Sequence, residues 1–389
     1  MKTLVVFSHL RWNFVFRRPR HLLTGLAAHY RVLFIEEPVH DDGEPRLELT
    51  DGGAGISIAR PHTPSASPGF ADDQLALIGP MLADHLSRHG IEDYVVWFYT
   101  PMAVPLLARL QPLAVVYDCM AELSACAGAP PQLREREAQL MKRADLVLTG
   151  GPSLYAARRH MNPRVLCLPS SVDAAHFWIE GRRGDDTMVQ RARELQGDIA
   201  GPRLGYFGVI DERMDLDLVR RLADADTRWN VVMVGPIVRI DPRAVPRRPN
   251  LHWLGLQPYA LLPRLIEGWD LGLLPFVLNA STRYISPTKT LEYMAAGKPV
   301  VSTAIKDVAS LYGDVVRMAR TPNEFVEACA AALEEPPRAQ RDRLLAMQAS
   351  VARSSWAGTA ETIHVALERE LAATSRRRAA ESAEAEQVT

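Results

Sequence analysis

The stretch Ser286-Pro-Thr-Lys-Thr-Leu-Glu-Tyr-Met-Ala-Ala-Gly-Lys-Pro-Val-Val-Ser-Thr303 decides how the rest of the chain is read. Ser286 suits a helix N-cap, Pro287 suits the first helical position, and Gly297 suits the end. A helix of about ten residues is expected between these marks. The run Val300–Ser302 that follows is apolar without alternation, which describes a strand buried on both faces. A capped helix feeding a buried strand is one step of a parallel α/β sheet.

The same step recurs in both directions. Before it, Leu204–Phe207, Val231–Val234, Leu251–Leu254 and Leu271–Leu274 read as strands with helices between them. Nearer the start, Leu4–Phe7, Val32–Ile35, Tyr94–Phe98, Ala114–Tyr117, Leu146–Leu148 and Val165–Leu168 form a second such series. Pro19–His29, Asp72–His89 and Pro131–Arg143 supply helical spacing between them. Gly43–Pro68 is rich in Gly, Pro and Asp, and reads as a β-excursion or a long loop. The expected fold class is therefore α/β, with two doubly wound Rossmann-like domains facing each other across a cleft. Ligands in such sheets bind beyond the carboxyl ends of the strands. The expected boundaries are a first domain over 1–178, a linker over 179–200 and a second domain over 201–353. A helix over 354–371 either packs back on the first domain or finishes the second, and a disordered tail covers 372–389.

Composition narrows the function classes. The 389 residues carry 45 basic and 46 acidic side chains, so no global field favours nucleic acid, and none is expected as a partner. Cys119, Cys126, Cys167 and Cys329 lack metal-ligand spacing and read as reduced thiols. The apolar run after Met1 is too short for a secretory leader, so the expected location is cytoplasmic, with peripheral contact on the inner membrane face as an extension. No metal cluster is legible: Asp41-Asp42 and Asp72-Asp73 fall in loop or cap positions. Neither a catalytic metal nor any other cofactor is expected.

Within the opening stretch, Lys289 sits in the first helical turn, where cations are ordinarily disfavoured. An anion bound beside the helix start would reverse that preference. Glu292 lies three residues on, on the same face, where a carboxylate can accept hydrogen bonds from a ribose diol. The spacing also describes a surface Lys–Glu pair on a capped helix. Ser286-Pro-Thr-Lys289 matches the SxxK of serine acyl-enzymes as well, but no KTG partner follows.

The stretch resembles the nucleotide-binding helix of glycosyltransferase family 4, where P-x-K-x-x-E-Y precedes A-x-G-K-P-V-V. Trp269–Phe276 is similar to the strand leading into that site, and Gly205–Asp215 to the family's first strand and loop of the C-terminal domain. The resemblance implies the GT-B fold and transfer of a sugar from a nucleoside-diphosphate donor to a glycan or lipid-linked acceptor. The first domain would take the acceptor and the second the donor. It further implies that Arg213 and Lys289 clamp the diphosphate, that Gly208 lets backbone approach it, and that Glu292 takes the ribose. Leu254–Tyr259 resembles the loop over the nucleobase, which brings in Gln257 and Tyr259. Thr282, Ser286 and Thr288 complete the donor-side candidates. Ser8–His21, Tyr117–Glu122 and Ser170–Phe177 look like the subgroup of bacterial cell-surface polysaccharide transferases that includes teichuronic-acid enzymes.

One departure stands out. The family's second glutamate, eight positions before the ribose glutamate, is Tyr284 here, and no Asp or Glu lies between Asp270 and Glu292. Asn279, Thr282 and backbone amides near Ser281 are the candidate replacements. The resemblance implies a retaining, metal-independent reaction in which the leaving phosphate helps remove the acceptor proton. Two cations and a helix N-terminus would stabilise that leaving group by preorganised electrostatics.

In the first domain, Asp118 ends a strand and is the leading candidate to contact the transferring sugar or act as base, with Glu122 second. An Asp that caps the following turn fits the same residues. His9, Arg11 and Trp12 follow the first strand and are expected on the acceptor side, as is Arg17. Arg18 and Arg20 read rather as a solvated basic helix end, and His176 as a packed or capping histidine. Two rival functions share the fold: a nucleotide-sugar epimerase and a catalytically silent scaffold subunit. An ordinary dinucleotide oxidoreductase lacks its GxGxxG.

Overall fold

The computed structural model describes residues 1–126, 128–178 and 186–388, excepting the side chains of residue 186 and residues 377–388. The chain divides into two compact units, Met1–Pro169 with Trp356–Thr389, and Ser170–Ser355.

The first unit is built on β1 (Thr3–Phe7), β2 (Arg31–Ile35), β3 (Val39–His40), β4 (Arg46–Gly53), β5 (Ile56–Thr63), β6 (Tyr94–Phe98), β7 (Ala114–Cys119), β8 (Leu146–Thr149) and β9 (Val165–Cys167). They are ordered β3-β5-β2-β1-β6-β7-β8-β9, with β4 antiparallel on β5 and the other pairings parallel. Every residue of β1 is buried, as its unbroken apolar run requires of a strand at the sheet's middle. The Gly/Pro-rich excursion proves to be the β4–β5 hairpin, and β5 then returns to extend the sheet beside β2. Helix Trp356–Val388 lays Trp356, Ala360, Ile363, Leu367 and Leu371 into this unit's core beside Leu4, Leu22 and Trp97. Gly25 lets it come close, since a Cβ there would stand 2.8 Å from that of Ala360.

The second unit holds β10 (Arg203–Phe207), β11 (Asn230–Val234), β12 (Leu251–Trp253), β13 (Leu271–Leu274), β14 (Val300–Thr303) and β15 (Arg317–Ala319). All are parallel, in the order β12-β11-β10-β13-β14-β15. The direction of strand succession reverses at β10, between β11 and β13. That reversal opens a crevice beyond the carboxyl ends of the strands. Two glycines let large rings lie flat on the sheet: a Cβ on Gly205 would stand 2.0 Å from the Trp269 ring, and one on Gly272 2.6 Å from that of Tyr293. Both rings are buried.

Three expectations about the organisation change. The first unit closes at Pro169 rather than at 178, and Val172 and Phe177 belong to the second unit's core. Of the expected linker, residues 179–185 lie outside the described residues, but Asp186–Gln196 is a helix of the second unit. Its Gln196 donates to Leu265 O at 2.8 Å and accepts from Trp269 Nε1 at 3.0 Å, so side-chain amide chemistry anchors what reads as a polar spacer. The helix expected to stop at Leu371 runs on to Val388, in place of the expected disordered tail. Its Ala, Arg and Glu content favours helix without needing apolar burial.

Candidate active site

Three glycines follow the carboxyl ends of β10, β11 and β12, and their backbones converge. Gly208, Gly235 and Gly255 have φ of +128°, +145° and +66°, values that favour glycine. Gly208 N donates to Val234 O at 2.8 Å, and Gly235 N to Gly255 O at 2.7 Å. A Cβ on Gly235 would stand 1.8 Å from Gly208 O, and one on Gly208 would stand 2.2 Å from Lys289 Cε and 2.5 Å from its Nζ. The Lys289 ammonium therefore lies against the Gly208 backbone at the switch point. It is 5.6 Å from the Tyr206 ring centroid and 5.8 Å from that of Phe207, within cation–π range.

Lys289 opens a helix of seven residues, Lys289–Ala295, with Thr288 at the N-cap. The expected helix of about ten residues capped by Ser286 is shorter at its start. Ser286 is not the cap, and its carbonyl accepts from Ser170 Oγ at 2.8 Å. Thr290 N turns back to Pro287 O at 3.3 Å, a tight first turn that leaves Pro287 outside the helix. The far end is as read: Gly297 has φ +70°, and its N donates to Met294 O at 2.9 Å. Tyr293 bolts the helix to β10, its hydroxyl accepting from Phe207 N at 3.2 Å.

Glu292, 6% exposed, lies one turn beyond Lys289. Burial pushes its carboxyl up to about 7, against the opposing pull of the Lys289 charge and the Thr288 hydroxyl. Tyr259 is close enough to feel this carboxylate, and burial with Glu292 and Asp173 raises its phenol. Gln257 donates to Leu254 O at 2.7 Å, folding the loop on itself.

Arg213 sits in the loop after Gly208 with its guanidinium plane fixed by Asp211, Nε at 2.9 and 3.1 Å from the two carboxylate oxygens and Nη2 at 2.5 Å. Its carbonyl accepts from Val277 N at 2.9 Å, which fastens the loop to the chain after β13. Thr282 does not present its hydroxyl to a ligand. It is 2% exposed, donates to Val277 O and accepts from Asn279 N at 3.1 Å. Asn279 Oδ1 likewise accepts from Ser281 N at 2.9 Å and Ser281 Oγ at 2.7 Å. These three side chains hold the loop in shape. Tyr284, at the position of the missing glutamate, has the Arg283 guanidinium 5.3 Å over its ring.

The first unit corrects several acceptor-side readings. Asp118 is fully buried, and both its oxygens accept from Arg18 Nε, at 3.3 and 3.2 Å. Desolvation raises its carboxyl, and the Arg18 charge pulls it back. Arg18 is 6% exposed and also donates to Leu168 O at 2.8 Å, so it is no solvated helix end. Arg18 opens the helix Arg18–Leu26, with Pro19 in second place, and its guanidinium reaches the ends of β7 and β9. Arg11 and Trp12 serve Glu36: Arg11 Nη1 lies 3.1 Å from one oxygen and Trp12 N 2.8 Å from the other, with Arg60 Nε at 2.8 Å. Glu36 is 1% exposed, and Trp12 is buried edge-on against Phe34. Glu122 is tied to Arg158 at 2.6 Å and Ser124 at 2.7 Å. His9 and Arg17 are half-buried at the ends of β1 and the Arg18 helix. Arg20 stacks over Phe16 and Trp12, at 4.4 and 5.7 Å.

Gly235 and Gly255 escape the sequence reading, although each closely follows a β-branched or apolar run. Glu36, directly after Ile35, carries the same kind of signal. Among the described residues, no group of three or more His, Cys, Asp or Glu is arranged to hold a metal, and no helix is long and apolar enough to cross a membrane.

Residues 201–335 match the family described as glycosyl transferases group 1. The chain is 24% identical over 274 residues to TuaH of Bacillus subtilis, described as a teichuronic acid biosynthesis glycosyltransferase, covering 65% of this chain and 67% of that one. Its fold is similar to sucrose-phosphate synthase from Thermosynechococcus elongatus, with a TM-score of 0.74 at 14% identity over 96% of this chain and 100% of that one. It is also similar to HepE from Anabaena in complex with UDP-glucose, with a TM-score of 0.71 at 14% identity over 95% and 100%. At such identity these two likenesses show the fold.

Proposed function

We infer that this chain, a glycosyltransferase of the GT-B fold, moves a sugar from a nucleoside-diphosphate sugar to a glycan or lipid-linked acceptor in cell-surface polysaccharide synthesis. The observation that carries the donor assignment is the Lys289 ammonium against the Gly208 backbone, with buried Glu292 one turn on. A cation, exposed backbone and a carboxylate in that succession suit a diphosphate followed by a ribose diol. The HepE structure with UDP-glucose and the teichuronic-acid name of TuaH support the class of donor and product.

In this mechanism Lys289 and Arg213 take up the charge that develops on the leaving diphosphate. Asp211 holds the Arg213 plane ready, so little reorganisation accompanies bond breaking. Asp118 and Glu122 are each committed to an arginine. We therefore assign the acceptor proton to the leaving phosphate; retention at the anomeric carbon and a metal-free reaction are carried over from the resemblance to glycosyltransferase family 4. Gln257, Tyr259, Ser286 and Thr288 remain donor-site members in this reading, and His9 and Arg17 acceptor-side ones. Thr282 acts only through the loop it pins.

Calorimetric titration with UDP, GDP, dTDP and CDP in EDTA tests the donor site. One nucleotide should bind, and Lys289→Ala should weaken it about tenfold to a hundredfold, the loss of roughly 1.5–3 kcal/mol expected for a charge-assisted contact. Failure of all four to bind would overturn the assignment. We expect the chain to work in the cytoplasm, where nucleoside-diphosphate sugars are made, with peripheral membrane contact through Arg17 and Arg20. Liposome flotation on anionic vesicles should drop for an Arg17→Glu, Arg20→Glu variant, and equal flotation would remove this patch from the account.

A further inference from the structure

His176 lies outside the Lys289–Glu292 pair, yet its contacts run to the same crevice. It stands in the helix Ala174–Phe177, whose N-cap Asp173 accepts from His176 N at 3.1 Å. The imidazole lies flat on the Tyr259 ring, centroids 4.1 Å apart and planes 7° from parallel. Its Nε2 is 3.0 Å from Tyr259 O. A carbonyl only accepts, so Nε2 carries the proton and donates. Phe177 closes the other side of the corner, edge-on to Tyr259 at 5.7 Å. One histidine thus fixes both the ring and the backbone of the residue that ends the 254–259 loop.

That loop is continuous with the donor groups. Gly255 O accepts from Gly235 N, Gly235 crowds Gly208, and Gly208 crowds Lys289. At its other end Tyr259 lies within the field of Glu292. The loop therefore borders the crevice on the Glu292 side. If Lys289 meets the diphosphate and Glu292 the ribose, the next group along the ligand is the base, and it falls against this loop. Resting on the donor assignment above, we propose that His176 is a positioning residue for nucleobase recognition: it holds the 254–259 backbone in the register that discriminates one base from another.

The consequence is specific. A residue that acts on the base loop should alter selectivity among bases while leaving the shared diphosphate contacts alone. His176→Ala should weaken the preferred nucleotide about threefold to tenfold, the range of a lost aromatic pair, and shrink its advantage over the other three. His176→Phe, which keeps a ring on Tyr259 but not the hydrogen bond, should recover part of that advantage. The donor KM should rise with kcat within about twofold. The four nucleotides are titrated into wild type and both variants, with circular dichroism to check that each is folded. Unchanged selectivity in His176→Ala, or an equal loss for all four nucleotides, overturns the proposal while leaving the donor site standing. A wild-type protein that binds one nucleotide no better than the rest also overturns it. If wild type binds none, the donor assignment itself falls, and this inference with it.

Discussion

Arg18→Met should destabilise the protein by about 3–5 kcal/mol, and adding Asp118→Leu should restore most of that loss. Neither partner is appreciably exposed: Arg18 is 6% accessible and Asp118 fully buried. Removing the arginine leaves a carboxylate that must either stay charged in a low-dielectric site or take up a proton against its ordinary tendency. Removing both replaces an ion pair by apolar volume, which buried pairs commonly tolerate. Urea unfolding of wild type, the two single variants and the double variant gives the coupling directly. A single-variant loss under about 1 kcal/mol, or a double variant no better than the sum of the singles, would sink the reading. A double variant that folds and still transfers sugar would also identify the pair as architecture and exclude Asp118 as an essential base.

The Asp118 case shows where sequence reading reaches its limit. That Asp118 ends a buried strand is legible from the apolar run before it, and the strand is found at Ala114–Cys119. That its oxygens are consumed by an arginine one hundred positions away is not, because pairing of that range depends on how the helix start is aimed. Arg11 and Trp12 fail for the same reason, since both are recruited by Glu36. In the second unit the local signals carry further. Glycine after a strand, lysine in a first helical turn and glutamate three residues on all report on neighbours within a single step of the sheet, and Gly208, Lys289 and Glu292 do cluster. Ser286 marks the limit even there: its residue type suits a cap, but the tight turn at Pro287 moves the N-cap to Thr288 and the helix start to Lys289. The segment Asp186–Gln196 reads as linker because its anchoring groups are polar, Gln196 above all, and polarity alone does not distinguish a spacer from a docked helix.

Glu292→Gln should remove a pH dependence of stability worth about 2–3 kcal/mol between pH 5 and 8. The Glu292 carboxyl is held at about 7 in the folded chain against an ordinary 4.5, first because burial disfavours its charge. Below pH 4.5 it is protonated in folded and unfolded chains alike, and the fold pays nothing for it. As pH rises toward 7 the unfolded chain releases the proton more readily, so stability falls, and above 7 the loss levels off. The glutamine variant has no proton to release, so its stability relative to wild type should climb through that window and then hold. Denaturant unfolding of both proteins at pH 5, 6, 7 and 8 makes the comparison, and a difference constant with pH would refute it. The sign bears on function. At neutral pH this carboxyl weakens the fold that holds it, even with Lys289 and the Thr288 hydroxyl beside it, and a side chain that costs stability in a crevice wall is explained by what it binds. A ribose diol donating two hydrogen bonds is the partner that would make the charged form worth keeping.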